Sequence, residues 1–123
     1  MGYGRQGNPG KQNLVMNFNW RECYMRYINL SHRKDRLGHM MSELWRVNLP
    51  ASRFEAIKTS EHSWDPNKYG VMLRRTPGAV GCFESQLSVM KQALDYGKSA
   101  FVMEDDLIFC TDLHKRLDYA EAF

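Results

Sequence analysis

Residues 100–109, AFVMEDDLIF, carry three consecutive carboxylates between two blocks of large apolar side chains. Each block is a continuous apolar run, which is the pattern of a strand that is buried on both faces. An ionised carboxylate in an apolar setting needs a cation or hydrogen-bond donors nearby. We therefore expect Glu104, Asp105 and Asp106 to lie where this strand emerges from the core.

Two further stretches predict strands. Residues 24–30, YMRYINL, offer aromatic and β-favouring side chains over one strand length and are followed by the polar SHRKDR. Residues 53–58, RFEAIK, form the next strand-like stretch. Residues 59–75 then show no clear period and contain several turn signals, which predicts a long loop.

The spacing of apolar residues predicts two helices between these strands. The first covers about 34–47 and stops at Asn48. The second begins at Pro77, behind the capping hydroxyl of Thr76, and ends near Gly97. We expect its apolar stripe to belong to the core; the stripe consists of Val80, Phe83, Leu87, Met90 and Leu94.

Strand, helix, strand, loop, helix, strand is the alternation of an α/β fold, in which helices cover a mostly parallel sheet. A last helix, capped by Thr111, would follow the third strand. Ligands of such sheets bind beyond the carboxyl ends of the strands. The polar ends at residues 29–36 and 104–106 would both lie at that edge, so we expect the carboxylates to face a cleft that also contains basic side chains.

Composition and charge restrict the class of protein. The 123 residues fit one domain, and no apolar run approaches the roughly 20 residues of a membrane-spanning helix. The net charge of +3 is mild, and the basic residues are spread among acidic ones, which disfavours nucleic-acid binding. Cys23, Cys82 and Cys110 are odd in number and lack CxxC spacing, so we expect reduced thiols in a cytoplasmic protein.

The N-terminal part of the chain differs in composition from the rest. Residues 1–13 are rich in Gly, Asn and Gln and have almost nothing to bury, and no targeting segment is visible. We interpret residues 1–23 as a flexible N-terminal extension and residues 24–123 as the domain.

The acidic triplet suits a hard divalent cation, because Mg²⁺ and Mn²⁺ prefer oxygen ligands and share one or two carboxylates with a substrate's phosphates. By strand periodicity, Glu104 and Asp106 would point to one side and Asp105 to the other, so the three would not hold one ion together. A solvated acidic turn, or pairing with nearby arginines, explains the same residues without a metal.

Other polar residues also have two interpretations. HRKDR at 32–36 would suit a phosphate at the start of a helix, but it would equally suit a solvated first turn. The four histidines show no metal-ligand spacing, and we expect surface or hydrogen-bonded residues. Ser85 and Gln86 lie on the polar side of the second helix, where simple exposure is expected. Gly78 and Gly81 do not form a dinucleotide-binding loop.

Four ordered blocks resemble glycosyltransferase family 25: YINLSHRKDRL at 27–37, LPASRFEAIK at 49–58, GAVGCFESQLSVMKQAL at 78–94 and FVMEDDLIF at 101–109. This family includes bacterial lipooligosaccharide galactosyltransferases and collagen hydroxylysine galactosyltransferases. The resemblance runs from about Tyr24 to the C-terminus and implies a GT-A-like, Rossmann-like fold. It also implies transfer of a hexose, galactose in the first place, from a UDP-sugar to a glycan or hydroxylated protein acceptor.

The resemblance implies a set of site residues as well. In the family, an acidic EDD motif plays the part of DxD and holds Mn²⁺ against the donor's diphosphate. Carried over to this chain, the motif implies Asp106 and Glu104 as ligands of Mn²⁺ or Mg²⁺. The implied nucleotide-sugar-binding residues are Asn29, Arg33, Asp35, Arg36, Gly81, Ser85, Glu104 and Asp105.

The chain also differs from the family pattern. Ser31 replaces a frequent Asp, Gln86 stands where His is usual, and Met90 lies where an aromatic is common. Family members continue into acceptor-binding and catalytic segments, so we expect the N-terminal portion of an incomplete domain. No residue is assigned as the catalytic base.

Two other functions fit the same residues. A catalytically inactive or truncated module, which binds a nucleotide sugar or is purely structural, fits the short length and the missing base. A metal-dependent phosphohydrolase would use the same carboxylates but lacks a recognisable nucleophile motif. The sequence leaves the acceptor, the linkage and the oligomeric state open.

Overall fold

The structure, a computed structural model, describes residues 19–58 and 77–121. The strands are β1 at Tyr24–Asn29, β2 at Ser52–Glu55 and β3 at Ala100–Met103. The helices are α1 at Lys34–Val47, α2 at Pro77–Asp95 and α3 at Leu113–Glu121, with a 3-10 helix at Trp20–Glu22. β1 lies between β2 and β3 and pairs in parallel with both. The predicted α/β fold with a parallel, Rossmann-like sheet is confirmed, and within the described residues the sheet is open at β2 and β3.

Helices cover both faces of this sheet, and the alternation of side chains along β1 explains why. Met25 and Tyr27 are buried in one cluster with Met40 of α1. The neighbouring Tyr24 points to the other face, where its hydroxyl donates to Gln92 Oε1 of α2 at 2.6 Å. β1 is therefore the central strand of a three-layer arrangement.

Helix α1 has the predicted bounds, and its end has a simple cause. Asn48 adopts a left-handed φ of 54°, and its N–H donates to the carbonyls of Leu44 and Trp45. Met40, Leu44 and Val47 are buried as the spacing predicts, whereas Met41 is exposed.

Helix α2 is also present as predicted, but only part of its predicted core stripe is packed: Val80 is buried and Leu87 is half-buried. Phe83, Met90 and Leu94 are exposed, the last at 77%. The buried positions of the helix are Val80, Gly81, Ser85, Val89 and Ala93. Cα atoms of α2 lie within 8 Å of Cα atoms in all three strands, an approach that small side chains permit. The predicted cap Thr76 and the predicted loop 59–75 lie outside the described residues.

The third strand is shorter than predicted, because β3 stops at Met103 and residues 104–110 are irregular. The backbone of this segment is hydrogen-bonded to side chains of α1 instead of to a neighbouring strand. Three contacts hold it: His39 Nε2 lies 2.6 Å from Leu107 O, the Phe109 N–H donates to Glu43 Oε1 at 2.9 Å, and Arg46 Nη2 donates to Phe109 O at 2.6 Å.

Residues 19–23 pack against α3, although we included them in the flexible extension 1–23. Trp20 is 3% exposed, its Nε1 donates to Asp118 Oδ1 at 2.8 Å, and its N–H donates to Glu121 Oε2 at 2.7 Å. The folded part therefore begins no later than Asn19, and residues 1–18 lie outside the described residues.

The last helix begins one residue later than predicted. The Asp112 carbonyl accepts from the Arg116 N–H at 3.1 Å, so Asp112, and not Thr111, occupies the capping position. None of the helices in the described ranges is long and apolar enough to cross a membrane.

Candidate functional site

A cavity of about 330 Å³ opens beyond the carboxyl ends of the three strands, between the start of α1 and the first turns of α2. Its apolar lining includes Ile28, Leu30 and Ile57. Its charged lining consists of Arg33, Arg36, Lys58, Glu104 and Asp105. An apolar hollow with a few convergent charges is the usual form of a small-molecule site.

The cavity brings together most of the residues implied by the family resemblance. Those that line it are Arg33, Arg36, Gly81, Ser85, Glu104 and Asp105, whereas Asn29, Asp35 and Asp106 do not. Ile57 and Lys58, which sequence reasoning missed, also line it, as does Cys82, which was matched to the family's helix motif but not assigned to the site. Lys58 is the last residue of the predicted strand 53–58, so the rule that ligands bind beyond strand ends could have identified it.

Asp105 is the buried carboxylate of the triplet, with 8% exposure. Its Oδ2 accepts from Asn29 Nδ2 at 2.9 Å, and its Oδ1 accepts from Arg36 Nη1 at 3.1 Å. Pairing with an arginine, one of the two interpretations of the triplet, therefore describes Asp105.

Glu104 is exposed and is held by neutral donors from α2. Gln86 Nε2 donates to Glu104 Oε2 at 3.0 Å, and Cys82 Sγ lies 3.9 Å from Glu104 Oε1. Burial raises the pKa of the Cys82 thiol, and the nearby Glu104 charge raises it further. The thiol therefore stays protonated near neutral pH and can donate to Glu104.

Ser85 corrects a prediction, because it is completely buried where we expected simple exposure. Its Oγ donates to Gly81 O at 2.7 Å and accepts from the Ile57 N–H at 2.8 Å. Ser85 thus ties α2 to the chain that leaves β2 and fixes a wall of the cavity. Gln86 is half-buried and bonded to Glu104, so simple exposure was wrong for it as well.

The cations of the cavity differ in how far their charge is compensated. Arg33 binds Asp35 through two hydrogen bonds of 3.0 and 2.8 Å, which hold the pKa of Asp35 well below its usual range. Arg36 binds Asp105. Lys58 has no side-chain partner in the part of the chain that the structure describes. Its ammonium group is therefore available to an anionic ligand.

The two outer carboxylates fit a hard divalent cation. Asp106 is exposed, and no described side chain or backbone group pairs with it. The described partners of Glu104 are neutral donors, whereas both oxygens of Asp105 are already bound. Glu104 and Asp106 therefore offer the oxygen ligands that Mg²⁺ and Mn²⁺ prefer. Among residues 19–58 and 77–121, no three His, Cys, Asp or Glu side chains are grouped as a metal site.

His39 and His114 are hydrogen-bonded, as we predicted for the histidines in general. His39 binds the Leu107 carbonyl, and His114 Nε2 lies 3.0 Å from Asn48 O. His32 is exposed, and His62 lies outside the described residues.

Comparison with models of protein families gives a match. The family model described as glycosyltransferase family 25 (LPS biosynthesis protein) matches residues 24–123, which is most of the chain. No curated protein matches the chain.

Proposed function

The chain belongs to glycosyltransferase family 25, and from that membership we propose that it transfers a hexose from a nucleotide sugar bound in the cavity at the strand ends. One observation carries the proposal: a single cavity is lined by the apolar residues Ile28, Leu30 and Ile57, by Glu104, and by Lys58, which has no side-chain partner among the described residues. The apolar residues suit the flat apolar part of a ligand and Lys58 suits its diphosphate, whereas Glu104 requires a divalent cation between its carboxylate and the phosphate oxygens.

The donor in this proposal is a UDP-hexose, with galactose in the first place because of the family resemblance. Ile28, Leu30 and Ile57 provide the apolar surface for the nucleoside. Lys58, which lines the cavity, attracts the diphosphate.

Glu104 and Asp106 hold Mn²⁺ or Mg²⁺ in this proposal. When bound, such an ion stabilises the negative charge that develops on the leaving diphosphate. Gln86 orients Glu104 through a neutral amide, so it adds no positive charge that would compete with the cation. This support for the metal site comes from the donor set, because neither Glu104 nor Asp106 has a charged partner within residues 19–58 and 77–121.

The acceptor that we propose is a glycan or a hydroxylated protein, and the family description as an LPS biosynthesis protein favours the glycan. We propose a cytoplasmic location, because Cys23, Cys82 and Cys110 are all free thiols, as a reducing compartment maintains them.

Isothermal titration of UDP into the protein, with and without Mn²⁺, tests donor binding. We expect a Kd below roughly 1 mM with Mn²⁺ and weaker binding without it. Lys58→Met should weaken binding roughly tenfold, because one charge-assisted contact to phosphate is lost. Lys115→Met is the matched control, since Lys115 does not line the cavity, and it should leave the Kd unchanged. Absence of binding up to millimolar UDP with Mn²⁺ would overturn the proposal.

A second measurement separates an enzyme from a binding module. Release of UDP from UDP-galactose, with or without a glycan acceptor, should exceed a protein-free control containing the same Mn²⁺. UDP binding without any such release would show that the chain is a donor-binding module.

A further inference from the structure

Asn29 lies at the end of β1 and is 1% exposed, with all its amide hydrogens engaged. Its Oδ1 accepts from Arg53 Nε at 2.8 Å, and its Nδ2 donates to Arg33 O at 3.2 Å and to Asp105 Oδ2 at 2.9 Å. Because arginine can only donate and a carboxylate accepts, these partners determine which way the amide points. Asn29 therefore has no donor left for a ligand.

Asp105 is anchored just as completely. One of its oxygens accepts from Asn29 and the other from Arg36, and its side chain is almost fully buried. A buried carboxylate with both oxygens bound by protein donors fixes the backbone that carries it, as outer-shell groups do around metal ligands.

The polar face of α1 continues this anchoring along the segment after β3. Arg36, His39, Glu43 and Arg46 recur at intervals of three and four residues, so they lie on one face of the helix. All four contact residues 105–109.

We propose that Asp105 is a positioning residue. It binds neither the cation nor the donor. Its bonds to Asn29 and Arg36 fix the turn that carries Glu104 and Asp106, and these two side chains reach the cation and the donor. The inference rests on the proposed function, and it replaces the donor-binding roles that the family resemblance implies for Asn29 and Asp105.

The test compares isosteric variants by one ratio, the Kd of UDP without Mn²⁺ divided by the Kd with saturating Mn²⁺, which we name the manganese factor. Asp105→Asn keeps an oxygen that accepts from Asn29 but loses the acceptor for Arg36, so it should retain at least roughly a third of the factor. Asp106→Asn should reduce the factor to about 1. Outer-shell partners of metal sites typically contribute 10–100-fold, so Asn29→Asp, which sets a carboxylate against Asp105, should lower the factor at least roughly tenfold.

A double variant adds a rescue. In Asn29→Asp/Asp105→Asn the amide and the carboxylate exchange places, and the hydrogen bond between the two positions can form again with its direction reversed. We expect it to recover most of the factor that Asn29→Asp loses. The matched control is Asp112→Asn, which breaks an exposed pair with Arg116 on α3 and should leave the factor unchanged.

All variants are compared at a temperature where circular dichroism shows the native fold. If Asn29→Asp does not fold, Asp105→Asn decides alone, because it preserves the shape of the side chain. A folded Asp105→Asn that loses the factor as completely as Asp106→Asn overturns the inference, and so does a folded Asn29→Asp that retains it.

A second readout needs no ligand. Backbone ¹⁵N order parameters of residues 104–107 should be near the roughly 0.85 of rigid backbone in the wild type and in Asp105→Asn, and should fall below roughly 0.7 in Asn29→Asp. A wild type without any manganese factor would refute the proposed function, and the order parameters would then decide on Asp105: equal values in all three proteins overturn its positioning role.

Discussion

Helices α1 and α2 contrast in how their apolar residues are used. In α1 the residues with apolar spacing, Met40 and Leu44 among them, are buried against the sheet. In α2 the bulkiest apolar residues, Met90 and Leu94 among them, face outward, while Ala93 is buried. Apolar spacing thus located both helices, but it identified the packed face of only one.

The difference follows from how closely each helix approaches the sheet. Large side chains of α1 fill the space above Met25 and Tyr27 in one core cluster. Cα atoms of α2 come within 8 Å of those of all three strands, so its contact face is built from small residues. A stripe of large apolar residues therefore predicts a core face only where the helix stands far enough from its neighbour.

The largest effect that we expect separates two methionines on these helices. Met40 is 0% exposed and Met90 is 49% exposed. Met40→Ala should lower the free energy of unfolding by about 2–5 kcal/mol, because it leaves a cavity in the core. Met90→Ala should lower it by less than about 1 kcal/mol. Urea unfolding measures both, and equal losses would contradict the assignment of faces.

The contact face of α2 gives the next effect. Ala93 is 1% exposed, so Ala93→Leu should overpack the contact with the sheet and cost about 1–3 kcal/mol of unfolding free energy. The neighbouring Leu94→Ala is the control and should change it by no more than roughly 0.5 kcal/mol. If Ala93→Leu were neutral in the same urea titration, the close approach of α2 would be wrong.

Several features were predictable because they depend on local pattern. The bounds of α1 follow from apolar spacing and from Asn48, which supplies the left-handed turn at its end. The position of the cavity follows from the rule for parallel strands. Local pattern could not reveal that residues 104–110 leave the sheet, because the partners that hold Leu107 and Phe109 are on α1, more than sixty residues earlier in the chain.

The same limit applies to the site. The resemblance located Glu104 and Arg36 in the cavity and implied Asp105 as a donor-binding residue beside the metal ligand Asp106, but it could not show how differently the two aspartates are surrounded. One is buried and bound by Asn29 and Arg36, and the other is exposed. That difference depends on contacts between distant parts of the chain, which the local sequence around the two aspartates does not reveal.

A smaller effect tests the attachment of the segment after β3 to α1. The pKa of Glu43 is lowered from 4.5 to about 2, mainly by the hydrogen bond from Arg46 and next by the hydrogen bond from the Phe109 N–H. A carboxyl whose pKa is lower in the folded protein than in the unfolded protein stabilises the fold at every pH above the unfolded-state pKa. This stabilisation is lost as the pH falls through the folded-state pKa. The difference in unfolding free energy between wild type and Glu43→Gln should therefore shrink from pH 4.5 to pH 2. A difference that is constant over this range would show that Glu43 is not bound as described.

The smallest effect concerns the N-terminus. Deleting residues 1–13 should leave the melting temperature nearly unchanged, because a polar, glycine-rich tail has little to bury that would offset the entropy of ordering it. A longer deletion, of residues 1–23, should destabilise the protein, because it removes Trp20 and its bonds to α3. A drop of several degrees for the shorter deletion would show that the tail packs.

The central claim, that Asp106 helps to hold a cation against a nucleotide sugar, is tested most directly by thermal melts of wild type and Asp106→Asn, with and without Mn²⁺ and UDP-galactose. Without ligand, the variant should melt at the same temperature or slightly higher, because Asp106 has no partner in the described part of the chain and lies beside two carboxylates. With ligand at about 100 times Kd, the wild type should gain about 2.7 kcal/mol, and the variant should gain nothing. A variant that is less stable without ligand yet keeps the Mn²⁺-dependent gain would contradict the account.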